Sequence, residues 1–162
     1  KLADYHKQGK EIDIRLLNYF KRKGCKTFGL EPTGAFFEAK KKGHQVLKNY
    51  FDIKTSKILK DKIKKVDVIT FTNVFAHIEN FKELISSLKN LITKETLVVI
   101  ENHYLGEVIK KNQFDTFYHE HPRTYSLNSF YFISKILNMN IVKYEFVKRY
   151  NENIRVYLHA NK

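Results

Sequence analysis

Hydrophobic and polar positions follow two alternating periods along this chain. Segments with apolar residues three or four apart predict helices, and short apolar runs rich in β-branched and aromatic residues predict strands. The last two predicted strands follow each other closely, which favours a hairpin. The predicted helices cover 13–22, 36–43, 54–65, 80–91 and 127–138, and the predicted strands cover 26–30, 45–51, 66–74, 96–101, 140–149 and 153–159.

Local signals mark the ends of several of these helices. Gly24 and Gly43 follow helical segments at the position where glycine commonly ends a helix. Asn80 and Glu83 have the spacing of a capping box, and Ser126 is a candidate N-cap for the last helix. These signals support the element order that the periodicity predicts.

Strands and helices alternate, and this order predicts an α/β fold. The expected architecture is a Rossmann-like, doubly wound and mostly parallel sheet with helices on both faces. Ligands in such sheets bind in the crevice at the carboxyl ends of the strands. The residues at those ends are Glu31, 49–51, Asn73 and Glu101.

Composition narrows the class of protein. The chain has 162 residues, of which 43% are hydrophobic, and this is typical of one globular domain. Cys25 is the only cysteine, so a disulfide framework and a cysteine-based zinc cluster are excluded. No apolar run approaches the roughly 20 residues of a membrane span. We therefore expect a cytoplasmic protein without a membrane partner.

The net charge is +13, from 30 basic and 17 acidic residues. Such a charge attracts anions, whether nucleic acid, acidic lipid or phosphorylated small molecules. Most lysines are scattered, which favours an ordinary solvated surface, and the densest group, 54–65, suits one helix face. A nucleic-acid-binding module would interleave basic residues with exposed aromatics. Because most aromatics here belong to apolar faces, that alternative is not favoured.

The stretch Tyr-His-Glu-His at 118–121 concentrates groups that handle protons. In an extended segment alternate side chains share a face, so His119 would point with His121, and Tyr118 with Glu120. Histidine is the natural general base near neutral pH, a carboxylate can orient it, and a tyrosine hydroxyl can donate to a developing enolate oxygen. This combination suits removal of a proton beside a carbonyl.

Two other interpretations of the same stretch stay open. His119 and His121 could ligate zinc together with His103 or Asp115, but H-x-H without a well-spaced third ligand is a poor metal signal. The stretch could also be a polar surface turn before Pro122.

Candidate ligand-binding residues follow two other predicted strands. Glu31 ends the first of them in the sequence GLEP, where an acid can accept hydrogen bonds from both hydroxyls of a ribose. An exposed acid in a turn before proline explains that position equally well. Asn73 can face the ligand crevice, and His77 lies on the loop that follows, where a lone histidine is more often structural than catalytic. The glycine-rich loop of a nucleotide site is missing, since the chain before the first helix has one glycine and no strand.

Several stretches, in this order, carry a family resemblance. They are LLNYFKRKG, GLEP, NVFAHI, IENHYL, FDTFYHEH and YSLNSF. Together they resemble the sugar C-methyltransferase family, class I S-adenosylmethionine-dependent enzymes that act on nucleotide-linked keto-sugars, from about Asp13 to the end of the chain. The resemblance implies a class I methyltransferase fold with S-adenosylmethionine as cofactor. It also implies a reaction in which a proton is removed beside the keto group and the resulting enolate attacks the methyl group of the cofactor.

The same resemblance implies roles for individual residues. We expect no metal site, because the zinc-binding module of the family is absent here and Cys25 is the only cysteine. The substrate side comprises His121 as general base, Tyr118 and Glu120 as substrate-binding or orienting groups, and His77 as a second polar group near the sugar. The cofactor side comprises Glu31 as the ribose ligand, Asn73 lining the cleft, and Asp13, which alone is kept from the glycine-rich loop of the family.

The chain also departs from the family pattern. The first strand and its glycine-rich loop are predicted to be missing, the zinc-binding module is absent, and only Arg155 is kept from a turn near the end. We expect 1–126 to form a methyltransferase core that is incomplete at its N-terminus, and 127–162 to begin a C-terminal substrate-binding region. The expected substrate is a nucleotide-sugar or a related anionic sugar, methylated at carbon or at oxygen. A non-catalytic remnant of the fold is the alternative.

Overall fold

A computed structural model of the protein describes residues 14–117, 121–148 and 152–160. The chain divides into two compact units, residues 1–55 and residues 56–162. The first unit carries a two-stranded sheet and the second a four-stranded sheet. None of the helices in the described ranges is both long and apolar enough to cross a membrane.

The first unit is built around a parallel strand pair. Its elements are α1 (helical over 14–22), β1 (Phe28–Leu30), α2 (Ala35–Lys41) and β2 (Gln45–Leu47). Strands β1 and β2 are in register from Phe28 opposite Gln45 to Leu30 opposite Leu47. A small core joins Ile14 of α1 to Ala35 and Ala39 of α2, with Val46 of β2 packed against it.

Glycines follow both helices of this unit, as the sequence predicts. Gly24 and Gly43 have φ values of +82° and +76°. Both values lie in the left-handed region, which a residue with a Cβ adopts only at a cost, so glycine suits each position.

The second unit contains most of the regular structure. Its elements are α3 (Ile53–Lys62, whose first turn contains the unit boundary), β3 (Val68–Thr72), α4 (Phe81–Leu91), β4 (Leu97–His103), α5 (Leu105–Lys110), α6 (Leu127–Ile136), β5 (Asn140–Val147) and β6 (Asn153–His159), with 3-10 turns at Phe75–His77 and Phe114–Thr116.

The strand order in the second unit is β3-β4-β6-β5. Strands β3 and β4 are parallel, and Thr72 lies opposite Glu101. Strand β6 is antiparallel to both β4 and β5, and Arg155 lies opposite Glu101. The predicted tail hairpin is therefore confirmed. The insertion of its second strand between β4 and β5 was not predicted, because strand order is not encoded in local pattern.

Helix α4 buries the face that its periodicity predicts. The buried side chains of this face are Leu84, Ile85, Leu88 and Leu91. At its start the Glu83 amide donates to Oδ1 of Asn80 at 3.1 Å, as expected for an N-cap. The Glu83 carboxylate accepts from the side-chain amide of Asn80 instead of its backbone amide, so the predicted capping box forms only in part. Helix α6 has a complete box between Ser126 and Ser129.

The alternation of strands and helices predicted from the sequence is confirmed, although several elements are shorter. The predicted strand 45–51 ends at Leu47, and the strand 66–74 is reduced to Val68–Thr72. Helix α5 was missed because its six residues are too few for a helical period to show. The predicted loss of a first strand and its loop concerns the chain before residue 14, which lies outside the described residues.

Candidate functional site

Three strands of the second unit bring polar side chains to one edge of its sheet. The carboxyl ends of β3 and β4 lie together because these strands are parallel. Strand β6 runs the opposite way, so its first residue, Asn153, lies opposite His103 at the end of β4. The Asn73 amide donates to the Glu101 carbonyl at 2.8 Å and closes this edge. This is where an α/β sheet of this kind binds its ligands.

Three histidines meet at this edge, and each comes from a different part of the chain. The ring centroids of His77 and His121 are 4.5 Å apart, and those of His103 and His121 are 5.8 Å apart. His77 ends the 3-10 turn after β3, His103 ends β4, and His121 lies in the segment before α6. We call this set the histidine cluster.

The position of His121 fixes which ring nitrogen carries its hydrogen. Its Nδ1 lies 3.0 Å from the carbonyl oxygen of Thr116. A carbonyl oxygen can only accept a hydrogen bond, so Nδ1 carries the hydrogen and donates it. The neutral ring then has its lone pair on Nε2. The protein thereby presents His121 in the tautomer that a general base acting through Nε2 requires.

The surroundings of His103 favour its neutral form. Burial lowers its pKa, and repulsion from His121 and His77 lowers it further, whereas Asp115 acts in the opposite direction. An imidazole out of water and beside two other imidazoles gains a proton only at some cost. His103 is therefore less prone to take up a proton than an imidazole in water.

The segment that carries His121 is tied to the end of β4. The Leu105 amide donates to the Tyr125 carbonyl at 2.9 Å, and Tyr104 forms an isolated parallel bridge with Tyr125. The Tyr125 ring lies 5.4 Å from the rings of both Phe75 and Phe130, measured between centroids. An aromatic contact thus joins the turn after β3, this segment and helix α6.

A second polar group at the same edge is an ion pair with nearly complete hydrogen bonding. The Glu101 side chain is only 3% exposed, and its Oε2 accepts from Nε and Nη2 of Arg155 at 2.8 and 2.6 Å. Its Oε1 accepts from Nδ2 of Asn153 at 3.2 Å. Arg155 also donates to Glu145 at 3.0 Å. We call these residues together with Asn73 the carboxylate network.

Asn73 is held by this network in a backbone conformation that few side chains adopt. Its φ is +52°, in the left-handed region where asparagine is tolerated better than most residues. Its Oδ1 accepts from Nδ2 of Asn153 at 2.8 Å. Since Glu101 also accepts from that nitrogen, the orientation of both amides is set. The Nδ2 of Asn73 is buried and has no hydrogen-bond partner among the described residues, so it offers a donor to a ligand oxygen.

Glu31 directly follows β1 in the first unit, as the sequence predicts. Its amide donates to the Leu47 carbonyl at 3.1 Å, which extends the β1–β2 pairing. Its Oε1 accepts from the amide and the hydroxyl of Thr33 at 2.8 and 2.5 Å. These two hydrogen bonds fix the carboxylate at the carboxyl end of the strand, where the second oxygen, Oε2, can serve a ligand.

Among the predicted site residues the structure therefore gives positions for His121, His77, Asn73 and Glu31. It brings the first two into contact and places Asn73 at the same edge of the sheet. The other predicted residues, Asp13, Tyr118 and Glu120, lie outside the described residues, as does His119. In the described ranges no group of three or more His, Cys, Asp or Glu side chains is arranged to hold a metal ion.

Sequence reasoning missed the carboxylate network and the place of His103 in the histidine cluster. Glu101 was noted only as a strand end and Arg155 only as a residue kept from a motif. A signal was present, because acidic and basic residues on neighbouring strands can pair across the sheet. That signal becomes usable only when the β4–β6 register is known.

Comparisons with known proteins agree with this architecture. Over 55 residues the chain is 42% identical to the C-methyltransferase NovU of Streptomyces niveus, a match that covers 34% of this chain and only 13% of NovU. An S-adenosylmethionine-dependent methyltransferase from Archaeoglobus fulgidus has a similar fold, with a TM-score of 0.69 at 15% identity over 88% of this chain and 80% of that one. Magnesium protoporphyrin IX methyltransferase from Synechocystis, solved with bound S-adenosylhomocysteine, gives a TM-score of 0.55 at 13% identity over 83% and 63% of the two chains.

These likenesses confirm the predicted fold class, a class I methyltransferase α/β fold. A family model described as a methyltransferase domain matches residues 9–143, which is most of the chain. The match supports the predicted class of enzyme at the level of the family, a methyltransferase domain. The chain belongs to the methyltransferase-domain family.

Proposed function

We propose that this protein transfers a methyl group from S-adenosylmethionine to a nucleotide-linked keto-sugar or a related anionic sugar. The stretch of identity with a C-methyltransferase supports transfer to carbon. The net charge of +13 supports a substrate that carries phosphate groups, because a positive potential concentrates anions. The observation that carries the proposal is the histidine cluster, with His121 presented in the tautomer of a base.

Two residues at strand ends are assigned to the cofactor. In this proposal Glu31 accepts hydrogen bonds from the ribose, and the buried, unpartnered Nδ2 of Asn73 donates to an oxygen of the bound molecule. Asp13 completes the cofactor side. S-adenosylmethionine supplies an electrophilic methyl group when it is bound, and the protein residues supply the remaining chemistry.

The proposed chemistry of the protein is a proton transfer. Nε2 of His121 removes the proton from the carbon beside the keto group. The electrons of that C–H bond form a carbon–carbon double bond, and the charge moves to the keto oxygen. Tyr118 and Glu120 bind or orient the sugar, His77 is a second polar group near it, and the Tyr118 hydroxyl donates to the enolate oxygen. The lowered pKa of His103 disfavours transfer of the proton from His121 to His103.

The C-terminal part of the chain is proposed to serve the substrate side. In this assignment 127–162 begins a substrate-binding region, and 1–126 forms the methyltransferase core. Asn153 and Arg155 support it, since both belong to β6 and reach the edge of the sheet where the histidine cluster lies.

The first experiment is calorimetric titration of the protein with S-adenosylhomocysteine. We expect saturable binding that is strongly weakened in Glu31→Gln, because the variant loses a charged acceptor for the ribose hydroxyls. Glu38→Gln is the matched control, since it removes an exposed acid of the same unit that pairs with Lys42. No binding at millimolar ligand would support the alternative of a non-catalytic remnant. Binding that is unchanged in Glu31→Gln would show that the ribose assignment is wrong.

One observation favours a second candidate function, binding of single-stranded nucleic acid. Tyr19 and Phe37 of the first unit are 56% and 64% exposed. The Nζ atoms of Lys23 and Lys48 lie 5.8 and 5.4 Å from the centroids of these two rings. Exposed rings beside cations are the features that such surfaces use for base stacking and phosphate contact.

Fluorescence anisotropy with a labelled single-stranded RNA tests this candidate. Binding that weakens in Phe37→Ala, and whose salt dependence becomes smaller in Lys23→Ala and Lys48→Ala, would favour it. His121→Gln should leave such binding unchanged. The absence of salt-dependent binding would remove the candidate.

A further inference from the structure

Arg123 joins the two segments that bring His77 and His121 together. Its Nη1 donates to the Ile78 carbonyl at 2.7 Å, and its Nη2 donates to the Glu79 carbonyl at 2.8 Å. These carbonyls belong to the two residues that directly follow His77. Arg123 itself lies two residues after His121. One side chain therefore spans a separation of more than forty residues in sequence.

The guanidinium group is well suited to this contact. It is planar and presents its donors in a fixed fork, so two adjacent carbonyls can be held at once, which an ammonium group cannot do in the same geometry. The Arg123 guanidinium also lies 5.6 Å from the centroid of the Phe81 ring, within the range of a cation–π contact. Phe81 is the first residue of α4, so the start of that helix is part of the same contact.

The connection from Arg123 to His121 is short and stiff. A single residue, Pro122, separates them, and its ring fixes φ. On the other side, the carbonyl of Ile78 is one residue from His77. A movement of the Arg123 contact would therefore be passed to both imidazoles, whose ring centroids are 4.5 Å apart.

We propose that Arg123 is a positioning residue that sets the distance between His77 and His121. The importance of Arg123 for catalysis rests on the proposed function. In that function His77 lies near the sugar and His121 removes its proton. Arg123 acts through the backbone of the His77 loop and not by contact with the reacting atoms. A misplacement on the order of 1 Å in such a pair is enough to cost about 100-fold in rate.

Nuclear Overhauser cross-peaks between ring protons of His77 and His121 test this inference without any ligand. We expect the cross-peak in the wild-type protein and its loss in Arg123→Gln, which cannot hold two carbonyls. Lys82→Gln is the matched control, because it removes one positive charge from an exposed position on the first turn of α4. This control should keep the cross-peak. Cross-peaks between Phe75 and Tyr125 report whether the surrounding fold is intact.

Arg123→Lys provides a second test that keeps the charge. It should fold and should show a weakened His77–His121 cross-peak, because an ammonium group reaches one carbonyl at a time. If Arg123→Gln fails to fold, the cross-peak in Arg123→Lys tests the inference instead. An unchanged cross-peak in a folded Arg123 variant would overturn the inference. Since no cofactor or sugar is present, a failure here is distinguishable from a failure of the proposed function, which the calorimetric titration reports.

Discussion

The histidine cluster and the carboxylate network lie at the same edge of one sheet, yet they differ in what their groups can do. In the network, both oxygens of Glu101 accept hydrogen bonds, and its charge is matched by Arg155. Glu145, which extends the network, has its pKa held at about 2, first by the hydrogen bond from Lys143 and then by that from Tyr157. With its pKa at about 2, the Glu145 carboxylate stays charged over the whole physiological range of pH.

The histidine cluster is made of groups of a different kind. Histidine side chains ordinarily change charge near neutral pH, and burial together with repulsion from His121 and His77 lowers the pKa of His103. His77 ends a 3-10 turn, His103 is the last residue of β4, and His121 lies in the segment before α6. The difference teaches that burial of polar groups alone does not mark a reactive site. A reactive site also needs groups whose proton affinity matches the pH at which the protein works.

Replacement of His121 should give the largest effect and should separate the two clusters. In His121→Gln, deuterium exchange at the carbon beside the keto group of a nucleoside-diphosphate keto-sugar should fall by on the order of 10²- to 10⁴-fold, since the base is lost. The thermal midpoint should change little. NMR of the sugar in D₂O measures the exchange.

The control for this prediction is His159→Gln. His159 lies opposite Leu97 at the amino end of β4, away from the carboxyl edge, so its loss should leave exchange unchanged. Exchange at the wild-type rate in His121→Gln would show that another group is the base.

Replacement of Arg155 should break the carboxylate network. We expect it to change the unfolding free energy more than the rate of proton exchange. Arg155→Met leaves the Glu101 carboxylate buried without its cation, and removal of one partner of a buried pair costs about 3–5 kcal/mol of unfolding free energy. Urea denaturation measures this loss. The double variant Glu101→Gln, Arg155→Met should recover part of it, because a neutral amide needs no cation. If Arg155→Met lowers the unfolding free energy by less than about 1 kcal/mol, the pair of Glu101 with Arg155 contributes no more than an ordinary surface ion pair, and the prediction is wrong.

The smallest expected effect is the pH dependence of the unfolding free energy. It tests the difference between the two clusters through the histidines. The pKa of His103 is lowered chiefly by burial, so in NMR titration its midpoint should lie below the ordinary value of about 6.5. As the pH falls below about 6.5, His103 takes up a proton in the unfolded chain but stays neutral in the folded protein. The unfolding free energy should therefore decrease as the pH falls, until the pH reaches the pKa of His103 in the folded protein.

His44 should add to this trend, because burial and the nearby Lys21 and Lys42 lower its pKa as well. Urea denaturation at several pH values compares the wild-type protein with His103→Asn, which should show a smaller decrease. A titration midpoint of His103 at or above the ordinary histidine value would contradict this account of the cluster.

Local pattern was enough to predict much of the fold and part of the site. Periodicity predicted helix α4 with its buried face, strand β3 and the tail hairpin, because each depends on residues close in sequence. Strand-end position singled out Glu31 and Asn73 as candidates, because parallel strands present their carboxyl ends at one edge. Residue chemistry singled out the stretch at 118–121, and the family resemblance chose His121 within it.

Tertiary structure alone decided how these residues combine. The placement of β6 beside β4 creates the pair of Glu101 with Arg155, and the Thr116 carbonyl selects the tautomer of His121. The approach of His103 to His121, and the reach of Arg123 to the carbonyls after His77, join segments far apart in the chain. Contacts of this kind depend on strand order, register and packing between distant segments, and the local sequence pattern does not encode them.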